Sequence, residues 1–351
     1  MKKTIRSIGL LTSFAMLFIF AAQSFADPIK GDVNQAVKTA TPSSQNSLVT
    51  NTPMPKPTTA APAVTTSATS FTQADLSILT GNIQRPNALA WHDGMIYAAC
   101  SGDWTVYQID ATSGNTAQYI YGVKNAHSMI AKTDDTGTGT SLWIPDFQSN
   151  NLVQITRGVV KNIATNLNGP WGISQFSETQ FLVTNLRGND VVMVGEGDPK
   201  QIITNLRSPT GIAVDDKFIY VGNTGSARRA IEWFDAPTDD TKVLPIDAED
   251  KTVSHSLVTG LQNVTNIVMG ADGLLYFGYS LGTRGVVGRV DPATCRENGG
   301  CSSDQIQIVV YSELAAPLAG VTLSDDMHLY IHSIFSPEIY WVDLKSTPVG
   351  K

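Results

Sequence analysis

The 351-residue chain is short of the side chains on which most chemistry is built: it has three cysteines, five histidines and no glutamate ahead of Glu178. It carries 24 Lys and Arg against 31 Asp and Glu, and its basic residues form no tract. A net charge of −7 without a positive patch excludes the electrostatic footprint of a nucleic-acid or anionic-membrane binder. After the N-terminal segment no stretch reaches the length of apolar residues that a membrane-spanning helix requires. Three cysteines with no His or further Cys beside them also exclude a structural zinc site of ordinary spacing.

What is present begins with Lys2, Lys3 and Arg6, followed by an apolar run that closes on Ser24-Phe25-Ala26. A basic start, an apolar segment and small residues at −3 and −1 predict a secretory signal peptide over 1–26, cut after Ala26. An uncleaved anchor is the alternative. Without those three cations the mature chain has 21 basic against 31 acidic side chains, a net charge of −10. Residues 27–70, rich in Thr, Ser, Pro and Ala, cannot bury enough apolar surface to offset the entropy of ordering, and predict a disordered linker. The globular domain is expected over 71–345, with a tail at 346–351. In a secreted or periplasmic compartment Cys295 and Cys301 of "CRENGGC" are spaced to pair across a Gly-rich turn. Cys100, in "MIYAAC", is expected as a buried free thiol.

One pattern then recurs. "SPTGIAVDDKFIYVGNTG" (208–225) reads as Pro, apolar run, acidic turn, Tyr-containing run and loop. The same order appears in "RPNALAWHDGMIYAACSGDWTVYQID" (85–110) and "GPWGISQFSETQFLVTNLRGNDVVMV" (169–194), and more loosely from 125, 263 and 317. Each copy is preceded by a further short strand: "LSILTG", "AQYIYG", "VKNIAT", "KQIITN", "HSLVTG" and "IQIVVY". Four strands per unit at a period of about 45 residues predict an all-β fold, a six-bladed β-propeller of four-stranded antiparallel blades. A repetitive sandwich competes, but does not repeat a four-strand unit six times. With each preceding strand taken as strand a, every blade is contiguous in sequence, and the ring is expected to close by packing of the last blade on the first, unless residues 71–74 add a strand.

"PTGIAVDDKFIYVGNTG" and "SLWIPDFQSNNLVQITRG" resemble the repeat signature of the NHL-repeat and streptogramin-lyase-like propellers, and more distantly of the regucalcin and gluconolactonase group. The resemblance covers residues 71–344 and is specific for fold. It implies lyases, lactonases, quinone-dependent dehydrogenases or plain binding modules alike.

On this strand assignment the a–b turns and c–d loops share one face around the channel. The a–b turns bring Asn87, His127, Trp171, Thr210 and Asn266 to its rim, a polar set with an aromatic wall of the kind small-molecule pockets use. The c–d loops add Asp103, Trp104, Asp146, Asn185, Arg187, Asn223, Arg228 and Arg284. Two functions stay open. One is an exported propeller that binds a small molecule or a protein partner at this face through Asn87, Trp104, Trp171, Asn185, Thr210, Asn223, Arg228, Asn266 and Arg284. The other is a lyase or lactonase with His127 as general base and Asp146 or Asp103 assisting, while Arg228 or Arg284 steadies an anionic intermediate. The resemblance to streptogramin lyases implies a divalent cation, Ca²⁺ or Mg²⁺, for the latter, with Asp146 and Asp103 as the candidate ligands.

Overall fold

The computed structural model describes residues 70–215, 217–236 and 254–348. The expected signal peptide, the linker up to residue 69, most of the 236–254 insertion and the last three residues lie outside the described residues. The rest forms six antiparallel blades. Blade 1 runs Pro86–His92, Met95–Cys100, Thr105–Asp110 and Thr116–Tyr121; blade 2 runs Ile130–Thr133, Thr140–Asp146, Asn151–Thr156 and Val159–Ala164. Blade 3 comprises Pro170–Gln175, Phe181–Asn185, Asp190–Val194 and Lys200–Ile203, and blade 4 Pro209–Val214, Phe218–Asn223, Ile231–Asp235 and His255–Thr259. Blade 5 comprises Ile267–Met269, Leu275–Leu281, Arg284–Val290 and Gln307–Ala315. Strands a to d are named in these orders, from the channel outward.

Blade 6 differs in origin. Its strands a to c are Leu318–Leu323, His328–Ser333 and Ile339–Asp343, but its outer strand is Ser77–Thr80 from the start of the domain. Ser77 pairs with Trp341 and Ile78 with Tyr340, antiparallel. The ring is therefore closed by backbone hydrogen bonds between its two ends, and blade 6, unlike the other five, is not contiguous in sequence. Each short strand that precedes a repeat is the outer strand d of the blade before it, and the three strands that follow it each lie one place further in than the repeat alone suggests. Phe71–Thr72 adds a parallel strand outside blade 5, and Phe71 is buried beside Val310 and Leu314.

Strands b and c are apolar on both faces because each blade packs on two neighbours. In blade 3, all five residues of Phe181–Asn185 and all five of Asp190–Val194 are buried. Six apolar clusters fill the blades and the spaces between them. Cys100 is a buried free thiol, as its apolar run implies, and burial raises its pKa.

Cys295 and Cys301 are joined by a disulfide, with Cα atoms 5.2 Å apart. The bridge ties helix α1 (Pro292–Glu297) to Cys301–Ser302, which adds a fifth, parallel strand outside blade 4. Asp291 caps α1, accepting from the N–H groups of Ala293 and Thr294, and Pro292 sits at its first position. Among the described residues no helix is long and apolar enough to cross a membrane.

Candidate functional site

The chain enters the channel at the start of strand a in the same way in several blades. A Pro opens the strand in blades 1, 3 and 4, and the ladder slips between Pro86 and Ala88, Pro170 and Ile173, Pro209 and Ile212, and Leu318 and Gly320. A bulge at a strand entrance re-aims the side chains it carries. Asn87, Trp171 and Thr210 ride on these bulges at the channel mouth. With the strand order corrected, this face is made by the d–a connections and b–c loops; the acidic turns "HDG", "DDK" and "DDM" are a–b turns of the opposite face. The residues grouped by sequence do share one face, but the loops that carry them are the others.

His127 and Trp171 meet there. Their rings stack with centroids 3.5 Å apart and planes 3° from parallel. Phe147 stands edge-on to both at 5.7 Å, and the Arg187 guanidinium lies over Phe147 at 4.2 Å. From the far side of the channel Asn266 donates its amide N–H to the His127 carbonyl, 3.3 Å away. The Asn266 side-chain oxygen, Oδ1, is buried and has no partner among the described residues. Asn87 donates to Asn125 Oδ1 at 2.9 Å, and its own carbonyl lies 3.1 Å from Nε2 of the fully buried His332. Burial, then the proximity of His332, pushes the His127 pKa down to about 3. Burial likewise lowers His332 to about 4. Both rings are neutral at physiological pH.

The structure does not bring the remaining candidates to this stack. Asp146 closes strand b of blade 2, and its carboxylate accepts the backbone N–H groups of Lys124, Asn125, Gln148 and Ser149 at 3.2, 3.2, 3.0 and 3.4 Å. It is 4 % exposed, turned into the backbone of its own loops rather than toward His127. Asn185 and Asn223 end strand b of blades 3 and 4 in the same role, accepting from the N–H of Asn168 at 3.2 Å and of Arg207 at 2.9 Å. Thr210 is buried and reaches the Val264 carbonyl at 2.6 Å. Asp103 takes the Tyr107 hydroxyl at 2.6 Å and the Thr105 N–H at 3.2 Å, and that bond raises the Tyr107 pKa to about 12. Trp104 faces outward, tilted on Tyr121 with Lys124 near its ring. Arg284 donates to the Glu313 carbonyl, and Arg228 is exposed on the 3-10 turn Ala227–Arg229.

Among the described residues no three His, Cys, Asp or Glu side chains converge as a metal site would require. The expected ligands Asp146 and Asp103 are in different blades, each occupied by its own loop, so this donor set does not fit a divalent cation. Sequence reasoning missed Phe147 and His332. Phe147 could have been found as the one aromatic in the polar loop "DFQSNN", but nothing in the spacing marks His332, which alternates inward along an ordinary strand.

Below the stack the six a strands line an axial cavity of about 240 Å³ whose wall is mixed, with Asn266, Gln175, hydroxyls and backbone groups set among apolar side chains such as Leu89, Ile173 and Val321. Its walls are close. A Cβ on Gly211 would lie 2.4 Å from the Ile267 nitrogen of the next blade, and one on Gly320 2.6 Å from the His332 ring.

Comparison with known proteins places this geometry in a fold. No family model and no curated protein matches the chain. Among solved structures it is similar to a streptogramin B lyase, at 15% identity and a TM-score of 0.52, over 76% of this chain and 96% of that one. It is also similar to a gluconolactonase from Xanthomonas campestris, at 13% identity and a TM-score of 0.58, over 76% of this chain and 88% of the other. At these identities the likeness is one of fold alone, a six-bladed β-propeller.

Proposed function

We propose that the chain is an exported propeller that binds a small molecule or an exposed partner group at the channel mouth without turning it over. The observation that carries this reading is the His127–Trp171 stack, walled by Phe147 and capped by Arg187. Preformed aromatic walls with a few polar groups are what ligand sites share. Arg187, over Phe147 and exposed, adds a cation to the lip, so the site suits a ring system that carries an acceptor or an anion.

The same geometry argues against His127 as a base. Proton abstraction is most efficient when the pKa lies near the working pH. A ring whose pKa burial and the proximity of His332 push down to about 3 binds a proton too weakly, and Asp146, the carboxylate expected to assist it, is committed to backbone N–H groups.

The test is a thermal-shift screen of the mature chain against heteroaromatic and lactone-containing compounds, streptogramin B and a gluconolactone among them. Each is run with Ca²⁺, Mg²⁺ and chelator, and the recovered compound is analysed. A binding propeller shows a shift that is indifferent to metal and lost in Trp171→Ala, with the compound returned intact. A ligand at a hundred times its Kd would stabilise by about 2.7 kcal/mol. Metal-dependent consumption of an ester or lactone that disappears in His127→Ala would establish the enzyme instead.

A further inference from the structure

On the opposite face the a–b turns repeat one device. Four blades carry a Tyr in strand b (Tyr97, Tyr220, Tyr276 and Tyr330) and a carboxylate in the turn before it, Asp93, Asp215, Asp272 and Asp326. The residue across the ladder on strand c is Gln108, Trp233, Arg289 and Trp341 respectively. In three blades a nitrogen donor fills the space over the tyrosine. In blade 1 Gln108 Nε2 donates to the Tyr97 hydroxyl at 3.2 Å. In blade 5 Arg289 donates to the Tyr276 hydroxyl at 2.7 Å and lies 3.6 Å from Asp272.

Blade 4 is the most developed case. Phe218 and Trp233 meet edge to face at 5.2 Å, and the guanidinium of Arg296, from the disulfide-stapled α1, enters between them. It lies 3.8 Å over Phe218, 5.7 Å over Tyr220 and 6.0 Å over Trp233, and donates to the Tyr220 hydroxyl, which in turn donates to Asp215.

Blade 6 repeats the aromatic part of this box position for position, with its carboxylate one residue nearer the tyrosine. Tyr330 faces Trp341 as Tyr220 faces Trp233, and His328 stands where Phe218 stands, opposite Asp343 as Phe218 is opposite Asp235. His328 and Trp341 also meet edge to face, again at 5.2 Å. Asp326 supplies the carboxylate; its Oδ1 lies 2.9 Å from His328 Nδ1 and accepts the Ser324 hydroxyl, which leaves Oδ2 for a further donor. Yet no segment of the described chain enters it, and the Tyr330 hydroxyl has no hydrogen-bond partner among the described residues. In place of the guanidinium there is a cleft of about 370 Å³, walled on its far side by Trp91 and Thr112 of blade 1.

We propose that this cleft at the seam of the ring is a receptor for a guanidinium group supplied from outside the domain. A planar cation stacks on aromatic faces and donates in its own plane, which the ring pair, the free hydroxyl and the carboxylate together accept. An ammonium, being compact and more strongly hydrated, loses the stacking contribution. The chain's net negative charge favours such a ligand at long range. The proposal is independent of the site at the channel mouth, on the other face.

The experiment titrates the full mature chain with agmatine, with Nα-acetyl-arginine methylamide and with its lysine counterpart, followed by the indole N–H signals in NMR. Binding of both guanidinium probes at least tenfold tighter than the lysine probe is expected, weakened at least tenfold in Asp326→Asn and in Thr112→Trp, which plugs the cleft from an exposed position. Arg296→Ala, which vacates the blade-4 box, should add a second guanidinium site and so calibrates the assay. An arginine-containing peptide bound at least tenfold tighter than agmatine identifies a protein as the source, whereas equal affinity identifies a small molecule. The proposal fails if Arg296→Ala gains a site while the wild type takes up no guanidinium at 50 mM probe. It fails equally if the lysine probe binds as well as the arginine probe, or if Thr112→Trp leaves binding unchanged.

Discussion

Asp146 is the residue whose role sequence and structure divide most sharply, and its removal tests the division. Three of its four backbone bonds fall on Oδ1 and one, from Lys124, on Oδ2. Alanine would leave four N–H groups without an acceptor beside a carboxylate-sized void. Each buried orphan costs roughly 1–3 kcal/mol, and those nearest the loop surface recover part of that from water, so the net loss is about 3–4 kcal/mol. Each kcal/mol moves the midpoint of a domain this size by roughly 2–4 °C, so Asp146→Ala should melt about 6–15 °C lower. Asparagine keeps the Oδ1 acceptor but turns an amide against the Lys124 N–H, for a loss of about 1–2 kcal/mol. It serves in blades 3 and 4 because there its amide nitrogen has acceptors of its own: Asp190 at 2.9 Å for Asn185, and Glu232 at 2.8 Å for Asn223. The assay is thermal unfolding by circular dichroism in chelator, Ca²⁺ and Mg²⁺. A midpoint for Asp146→Ala within 2 °C of the wild type would refute the reasoning. So would a calcium-dependent rise in the wild type that Asp146→Asn abolishes, because the carboxylate would then be serving a cation.

Two further outcomes follow from the channel. His332 stays neutral in the fold down to about pH 4, whereas the unfolded chain takes up its proton near pH 6.5. Below pH 6.5 the unfolded state therefore binds more protons, and stability falls with pH over that window, by up to about 3 kcal/mol from this group. His127 adds a loss of the same sign that runs on toward pH 3. Midpoints measured from pH 7.5 to 4 should show a shallower acid limb in His332→Gln, which can still donate to the Asn87 carbonyl; an identical slope would count against the assignment. Gly211→Ala should destabilise by about 1–3 kcal/mol, since its Cβ would press on the backbone of Asn266 and Ile267 in the next blade. Urea unfolding with an unchanged midpoint would show that the blades can spread.

The fold was legible because its signals are local and repeated. In four blades an acidic turn precedes the Tyr of strand b by four or five residues, and the hydroxyl–carboxylate bonds of Tyr220 with Asp215 and Tyr276 with Asp272 give a reason for the recurrence. The Cys295–Cys301 pair was legible for the same reason, its partners being six residues apart around a Gly-rich turn. Ring closure was not. "LSILTG" looks the same whether it is the first strand of blade 1 or the last of blade 6, because its pairing partners, Ile339 to Trp341, are some 260 residues away. The choice rests on closure itself. A contiguous set would leave unpaired edges at both ends of the domain, and borrowing Ser77–Thr80 joins those ends through a ladder.

The site was half legible, and the reason lies in what a propeller asks of its polar residues. At the channel mouth the sequence shows a ring of Asn, Asp, Thr and His, which reads as a binding rim. A bulged strand entrance also needs acceptors for the N–H groups it frees, and Asp146, Asn185 and Asn223 supply them from the end of strand b. Such latches recur at one position in successive blades, whereas a ligand residue has no cause to recur. Recurrence is thus a criterion available without coordinates: what repeats at strand-b ends belongs to the ring, and what breaks the repeat is free to act. By that criterion His127, which replaces the small residue at the entrance to a strand a, and Trp171, large at the position before Gly172, stand apart, and they are the pair that stacks. The opposite face extends the argument, because there the repeat is intact in blade 6 and only its filling is missing. Arg296 shows what such a box holds when it is full.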